Sequence, residues 1–158
     1  MSLEDLYKEI ILEHYKKPRN RAPELEPHDV LVHHSNPLCG DEMDLRLRVG
    51  PGENGADTVE AVAYDGDGCS ISMSSASAMT EAVTGRELGD ALDLAEVFRL
   101  MMHGAGMKRE DDLLDGVAFQ GVAKFPVRVK CALLGWMALK DAIETHQRGQ
   151  SEHRVEHE

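Results

Sequence analysis

The stretch from Leu45 to Tyr64 is the strongest constraint on the fold, because it has the pattern of a β-hairpin. Residues 45–49, LRLRV, alternate apolar and charged side chains, PGENG follows as a turn, and residues 59–64 return as a second strand. Alternation with a period of two is typical of a strand that buries one face. The pattern predicts an antiparallel pair, and the short β-compatible run from Cys69 to Met73 predicts a third strand.

Helical patterns occupy much of the remaining chain. The first helix is expected to begin after Ser2 and to stop before Pro18, which cannot continue it. Three further helices are predicted, and they begin at Ser74 or Ser75, after Asp90, and at Pro126. Between these elements, residues 19–37 predict an irregular arm with a short strand from Val30 to His33, and KREDDLLDG, residues 108–116, predicts a solvated loop.

Chain length and composition fit a single domain. With 158 residues, of which 42% are hydrophobic, the chain can supply one core. The apolar helical pattern fades near His146, and the residues after it are polar. We therefore predict one compact domain over residues 1–146 and a polar, disordered tail over residues 147–158.

Charge and hydropathy exclude two classes of partner. The chain has 17 Lys and Arg against 29 Asp and Glu, a formal charge of −12, which repels nucleic-acid phosphates. The longest mostly apolar run, Cys131 to Leu139, is too short to span a bilayer, and the N-terminus lacks the pattern of a signal peptide. We expect a cytoplasmic protein that binds neither nucleic acid nor membrane.

The three cysteines, Cys39, Cys69 and Cys131, need an explanation other than disulfides. Their number is odd, their spacing is wide, and a reducing compartment keeps thiols free. Each falls at the junction of two predicted elements, where side chains from distant segments can converge. Zinc takes four ligands and prefers thiolates, so three cysteines lack one ligand, and Asp41, separated from Cys39 by Gly40 alone, is the nearest candidate.

Two interpretations of these thiols remain open from the residues alone. Free cysteines are often small buried apolar residues, and Cys131 on an apolar helical face fits that description. A metal site is the other interpretation. Three thiolates, one carboxylate and a divalent ion would carry a charge of about −2, which Arg128 and Lys130 are placed to offset.

The histidines are weaker candidates. His33 and His34 could supply a ligand or the base of a Cys–His pair, but adjacent histidines in a charged segment are more often solvated. His146, His153 and His157 near the C-terminus are expected to be exposed.

Four motifs resemble those of the NifU/IscU-like family. They occur in the family's order and together cover roughly residues 1–145. They are LYKEIILEHYKKPRN at 6–20, NPLCGD at 36–41, GDGCSISMSSAS at 66–77 and RVKCALLGW at 128–136.

The resemblance implies a fold and a ligand set. It implies an α+β domain with a three-stranded antiparallel sheet and helices packed on one side. The family's three cysteines and its aspartate fall on Cys39, Asp41, Cys69 and Cys131, as ligands of zinc or, alternatively, of an iron–sulfur cluster. Two departures, Lys130 in place of a histidine and a longer stretch between the second and third cysteines, are similar to the SufU branch.

The resemblance also implies an activity and its partners. A chain of this branch is expected to accept persulfide sulfur from a pyridoxal-phosphate cysteine desulfurase of the SufS type, to activate that enzyme, and to serve a downstream cluster scaffold. Cys39 is then the sulfur acceptor, while the other three ligands retain the ion. The alternatives are a scaffold for iron–sulfur cluster assembly and, from another class, a structural zinc-binding interaction module.

Overall fold

The computed structural model of the chain describes residues 2–157. Met1 and Glu158, the first residue of the predicted domain and the last residue of the predicted tail, lie outside the described residues. The elements in chain order are α1 (Leu3–Lys16), β1 (Val30–Asn36), β2 (Asp41–Pro51), β3 (Asp57–Asp67), α2 (Ser70–Val83), α3 (Leu88–Met102), α4 (Glu110–Leu113), a 3₁₀ segment (Leu114–Lys124), α5 (Pro126–Gln147) and β4 (Glu152–Glu156).

The sheet has four strands in the order β3-β2-β1-β4 and is mixed. The predicted hairpin is confirmed as β2 and β3, which pair antiparallel with an irregularity between Arg48 and Val49. β1 pairs antiparallel with β2, whereas β4 pairs parallel with β1, with Leu31 opposite Glu152. The prediction of a three-stranded antiparallel sheet was therefore wrong in strand number and in the direction of the added strand.

The run from Cys69 to Met73 is not a strand, which corrects the prediction. Cys69 is the N-cap of α2, and its sulfur accepts the backbone N–H of Ser72. A side chain that accepts a backbone N–H at a helix start satisfies a donor that has no partner within the helix, and this favours a helix over an extended strand. The third antiparallel strand is β1, which extends the predicted short strand at Val30 to His33.

The C-terminal residues are ordered, so the prediction of a disordered tail from residue 147 was also wrong. Gln147 ends α5, and Glu152–Glu156 form β4. The backbone N–H of Leu31 donates to Ser151, and that of His157 donates to Ser35. These main-chain bonds require no apolar alternation in the tail, which explains why hydropathy gave no signal for the strand.

The helices pack against the face of the sheet that carries its buried side chains. Along β1 and β2 buried residues alternate with more exposed ones, and α5 lies across both strands. Trp136 of α5 is fully buried and stacks on Phe98 of α3 with ring centroids 4.6 Å apart. No helix within residues 2–157 is long and apolar enough to cross a membrane.

The segment predicted as a solvated loop, residues 108–116, is instead partly helical and held by ion pairs. Arg86 lies 2.9 Å from Asp90 and 3.2 Å from Asp112, and Arg109 contacts the same two carboxylates at 3.0 and 2.9 Å. This network fixes the start of the 3₁₀ segment, which leads directly into α5 and so to Cys131.

Candidate metal centre

The turn between β1 and β2 places Cys39 beside Asp41. The backbone N–H of Cys39 donates to the carbonyl of Asn36 at 3.1 Å, which closes the turn. Gly40 has a φ of +71°, a left-handed conformation that side chains disfavour. Asp41 then begins β2 opposite Asn36. The sequence-based expectation that Gly40 permits a tight turn at this point agrees with the structure.

The start of α2 approaches the same turn through two glycines. A Cβ on Gly68 would lie 3.1 Å from Asp41 Oδ1, and a Cβ on Gly66 would lie 2.1 Å from the carbonyl oxygen of Glu42. Neither position has room for a side chain. The absence of a Cβ therefore lets the N-terminus of α2, with Cys69 as its cap, pack directly on Asp41.

Asp41 is buried and held at both carboxylate oxygens. It is 1% exposed. The backbone N–H of Cys69 donates to Oδ1 at 3.0 Å, and the hydroxyl of Ser72 donates to Oδ2 at 2.5 Å. Both donors belong to the first turn of α2, where the helix macrodipole favours negative charge. The sequence identified the carboxylate but missed Ser72, whose only signal is its position three residues after Cys69.

Three of the four predicted ligands form a group with the spacing of a metal site. One ligand atom each from Cys39, Asp41 and Cys131 lie within 4.8 Å of one another. Tetrahedral zinc with Zn–S bonds of about 2.3 Å keeps its sulfur ligands roughly 3.8 Å apart. The donors thus fit a thiolate-binding divalent ion with little movement, and thiolates also suit an iron–sulfur unit.

Cys69 lies beside this group rather than within it. Its sulfur is 3.5 Å from both the amide nitrogen and the hydroxyl oxygen of Ser72, and it is near enough to Cys131 for each thiol to affect the pKa of the other. The sulfur therefore serves as the helix cap while remaining in contact with one member of the group.

The thiols of Cys69 and Cys131 have pKa values shifted in opposite directions. Burial raises the pKa of Cys69, but hydrogen bonds with Ser72 and Cys131 outweigh it, so the pKa is below its ordinary value. The pKa of Cys131 is raised by burial, then by its hydrogen bond to Cys69 and the nearby negative charges. The negative charge of Cys69 also raises the pKa of the exposed Arg128. Arg128 thus offsets part of the site's negative charge, as the sequence predicted.

Exposure separates the ligands further. Cys131 is 1% exposed, whereas Cys39 is half-buried and follows Leu38, which is 78% exposed. Phe125 and Val127, just before and within the start of α5, are exposed as well. The candidate centre therefore joins a buried ligand, Cys131, to a more exposed one, Cys39, which is next to the exposed apolar side chain of Leu38.

A second group with metal-compatible spacing ties three elements together. His14, Glu81 and Asp115, from α1, α2 and the 3₁₀ segment, each offer a donor atom within 4.8 Å of the others. His14 is buried, with Nδ1 at 2.7 Å from Ser77 Oγ and Nε2 at 2.7 Å from Asp115 Oδ2. Because both ring nitrogens already have partners, this group is explained as a hydrogen-bonded anchor of the 3₁₀ segment.

The histidine cluster comprises His34, Asp141, His153 and His157. His34 Nε2 lies 2.8 Å from Asp141 Oδ2, and His34 Nδ1 lies 2.7 Å from His157 Nε2. His153 Nδ1 lies 2.7 Å from Asp141 Oδ1. His34 is 2% exposed, so the expectation that it is solvated was wrong. The cluster joins β1, α5 and the C-terminal residues.

Comparisons with known proteins place the chain among relatives with related names and a similar fold. The family model of the NifU-like N terminal domain matches residues 6–132, which include all four predicted ligands. The chain is 40% identical over 148 residues to the zinc-dependent sulfurtransferase SufU of Bacillus subtilis, covering 94% of this chain and 96% of that protein. It is 36% identical over 148 residues to the iron–sulfur cluster assembly scaffold protein IscU of Streptococcus pyogenes, covering 94% and 89%. A crystal structure described as a hypothetical protein matches with a TM-score of 0.80 at 37% identity, covering 90% of this chain and 99% of the other, which supports the α+β fold.

Proposed function

The chain belongs to the NifU-like N-terminal domain family, and from that premise we propose that it serves iron–sulfur cluster assembly as a zinc-dependent acceptor of persulfide sulfur from a cysteine desulfurase. The observation that carries the proposal is the convergence of Cys39, Asp41 and Cys131 within 4.8 Å, with Cys69 alongside. The similarity to a protein named as a zinc-dependent sulfurtransferase supports zinc as the ion.

Each residue has a role that its surroundings explain. Asp41 and Cys131, both buried, and Cys69, half-buried at the start of α2, would hold the ion, and Cys39 would complete the set from its turn. When bound, zinc supplies a positive charge that keeps its thiolate ligands deprotonated at neutral pH. Cys39 is the group a partner can reach, because its turn is exposed and Gly40 lets it move while Asp41 stays fixed in β2.

The transfer step is a thiolate–disulfide type of exchange. The Cys39 thiolate attacks the outer sulfur of the desulfurase persulfide, a bond forms between Cys39 Sγ and that sulfur, and the donor cysteine leaves as a thiolate. Protons and electrons balance without an oxidant or reductant. The exposed apolar side chain of Leu38, next to Cys39, can help to exclude water from the contact between the two proteins.

Mass spectrometry tests the assignment of Cys39. The protein is incubated with its pyridoxal-phosphate desulfurase and cysteine, alkylated and digested. An added mass of about 32 Da, one sulfur atom, is expected on the Cys39 peptide. Cys39→Ser should abolish both the added mass and the activation of the desulfurase, whereas Ser74→Ala, a buried change outside the centre, should leave both intact. Sulfur on Cys69 or Cys131 but never on Cys39 would contradict the proposal.

A scaffold for iron–sulfur cluster assembly is the second candidate, because the same thiolates can hold a cluster and a relative with that name is 36% identical. Lys130, where scaffold members carry a histidine, favours sulfur transfer, and a transferred persulfide would then pass to a downstream scaffold. A colourless protein with one zinc supports the first candidate, and a brown protein with iron and sulfide supports the second. Zinc together with an unreactive Cys39 would instead indicate a structural zinc module.

A further inference from the structure

Ser72 contacts two of the predicted ligands at once. Its side chain is fully buried. Its hydroxyl donates to Asp41 Oδ2 at 2.5 Å, and its backbone N–H donates to Cys69 Sγ at 3.5 Å. A serine in the third position of a helix has no need of such a contact, since the hydroxyl of Ser74 in the same helix bonds to the carbonyls of Ser70 and Ile71 within its own turn.

The hydrogen bonds of Asp41 restrict how it can bind an ion. Oδ1 accepts the N–H of Cys69 and Oδ2 accepts the O–H of Ser72, so one lone pair on each oxygen is already engaged. The two donors sit on opposite oxygens and prevent rotation of the carboxylate about its Cβ–Cγ bond. Each oxygen keeps a second lone pair, but the hydroxyl at 2.5 Å engages Oδ2 more closely than the amide at 3.0 Å engages Oδ1, so Oδ1 is the oxygen better able to bind an ion.

We propose that Ser72 is a positioning residue that fixes Asp41 as a one-oxygen ligand, so that the ion stays in place when Cys39 leaves it. The inference rests on the proposed function, since it takes Asp41 as a ligand and Cys39 as the exchanging thiol. An ion held by the Cys69 and Cys131 thiolates and a freely rotating carboxylate would shift towards the second oxygen once the fourth ligand departs. The hydroxyl of Ser72 opposes that shift because it occupies the second oxygen.

The test compares Ser72→Ala with Ser74→Ala. Both serines are fully buried in α2, but the Ser74 hydroxyl bonds only within the helix. Partners of metal ligands typically change metal affinity by about 10- to 100-fold when they are removed. Ser72→Ala is therefore expected to lower zinc affinity by about that factor in competition with a chelating indicator. Ser74→Ala should leave the affinity unchanged, and Ser72→Thr, which keeps a hydroxyl, should restore part of the loss.

The visible spectrum of the cobalt-substituted protein separates positioning from mere stabilisation of the helix. Four-coordinate cobalt(II) absorbs visible light more strongly than five-coordinate cobalt(II). If Ser72 fixes Asp41 as a one-oxygen ligand, the absorption of Ser72→Ala should weaken as the second oxygen binds, while that of Ser74→Ala stays at the wild-type value. An unchanged cobalt spectrum and unchanged zinc affinity in Ser72→Ala would overturn the role of Ser72 but not the proposed function. A wild-type protein that binds no zinc or cobalt would overturn the proposed function as well.

Discussion

The candidate metal centre and the histidine cluster each take one residue from α5, but their polar groups are arranged in opposite ways. At the metal centre the converging atoms are sulfur and carboxylate donors, which repel one another once ionised. In the histidine cluster each polar group faces a complementary one. Asp141 accepts from His34 and His153, and His34 in turn contacts His157. A set of like donors suits an external cation, whereas a complementary set is complete by itself.

The positions of the protons show why the histidine cluster is complete. An ionised Asp141 can only accept, so His34 carries its proton on Nε2. Neutral His34 then accepts at Nδ1, and His157 must donate from Nε2. All three contacts are satisfied without an ion. The comparison teaches that the nature of the donors, rather than their number or proximity, distinguishes a binding site from a structural network.

Removal of metal should produce the largest effect and tests the first half of this comparison. We expect one zinc per chain by elemental analysis. Structural zinc can contribute about 10 kcal/mol or more of apparent binding free energy, so chelation should lower the melting temperature strongly. Zinc retained by Cys131→Ser but lost from Asp141→Asn would mean that the ion binds at the histidine cluster. The contrast between the two regions would then be wrong.

Substitution of Cys131 and of Cys39, one at a time, should separate the ligand that holds the ion from the ligand that exchanges. Cys131 is buried and Cys39 is half-buried on an exposed turn. Cys131→Ser is expected to lose zinc and to destabilise the protein by a further ~1–3 kcal/mol, because a buried hydroxyl is left poorly paired. Cys39→Ser should keep part of the zinc and most of the stability. Equal losses in both variants, measured by zinc content and urea unfolding, would remove the distinction between holding and exchanging ligands.

Loss of the central carboxylate should show what the histidine cluster contributes. Asp141→Asn is expected to cost about 1–3 kcal/mol of unfolding free energy, since it replaces a charged acceptor shared by two histidines. Zinc content should stay at the wild-type value. Asp93→Asn, on α3 and outside both clusters, serves as the control in urea unfolding. Loss of stability equal to that of the control would show that the cluster carries no structural role.

Acid should lower the folding stability through the histidine cluster, and this effect should be smaller than those of the changes above. Burial lowers the pKa of His34 and of His157 below 6.5, in spite of Asp141. The unfolded chain therefore binds more protons than the folded one as pH falls below about 6.5, and stability must decrease in that direction. Each unit of pKa difference is worth about 1.4 kcal/mol.

Hydrogen exchange measures this effect locally. Exchange of the backbone amides of β4 should accelerate between pH 7.5 and pH 5.5 more than the intrinsic pH dependence of exchange predicts. His34→Gln should remove much of the excess, while His146→Gln, outside the cluster, should preserve it. If exchange in the wild-type protein accelerates no more than its intrinsic pH dependence, then protonation of His34 and His157 does not destabilise β4.

The elements that sequence predicted well are those specified by local pattern. The hairpin, α1 from Leu3 and α5 from Pro126 each carry their own periodicity and start signals. The four candidate ligands were named from motifs that resemble those of a known family, and their role as ligands stays a prediction. Three of them converge, and Cys69 lies alongside.

The features that sequence missed depend on partners far away in the chain. Burial of His34 requires Asp141, 107 residues later. The bond from Ser72 to Asp41 spans 31 residues and has no local signature beyond a serine near a helix start. The run after Cys69 predicts a strand because its apolar residues suit one. In the structure it is the first turn of a helix, which the cysteine sulfur caps.

The parallel pairing of β4 with β1 has a consequence for how the protein behaves in concentrated solution. β1 would otherwise be the last strand of the sheet on that side, with main-chain N–H and C=O groups of residues 31–35 open to any extended chain. Such open edges recruit strands from other molecules and lead to aggregation. A chain shortened after Gln147 keeps every predicted metal ligand and yet exposes this edge. Its failure would therefore be self-association rather than loss of chemistry, and the polar tail acts as the protein's own edge protection.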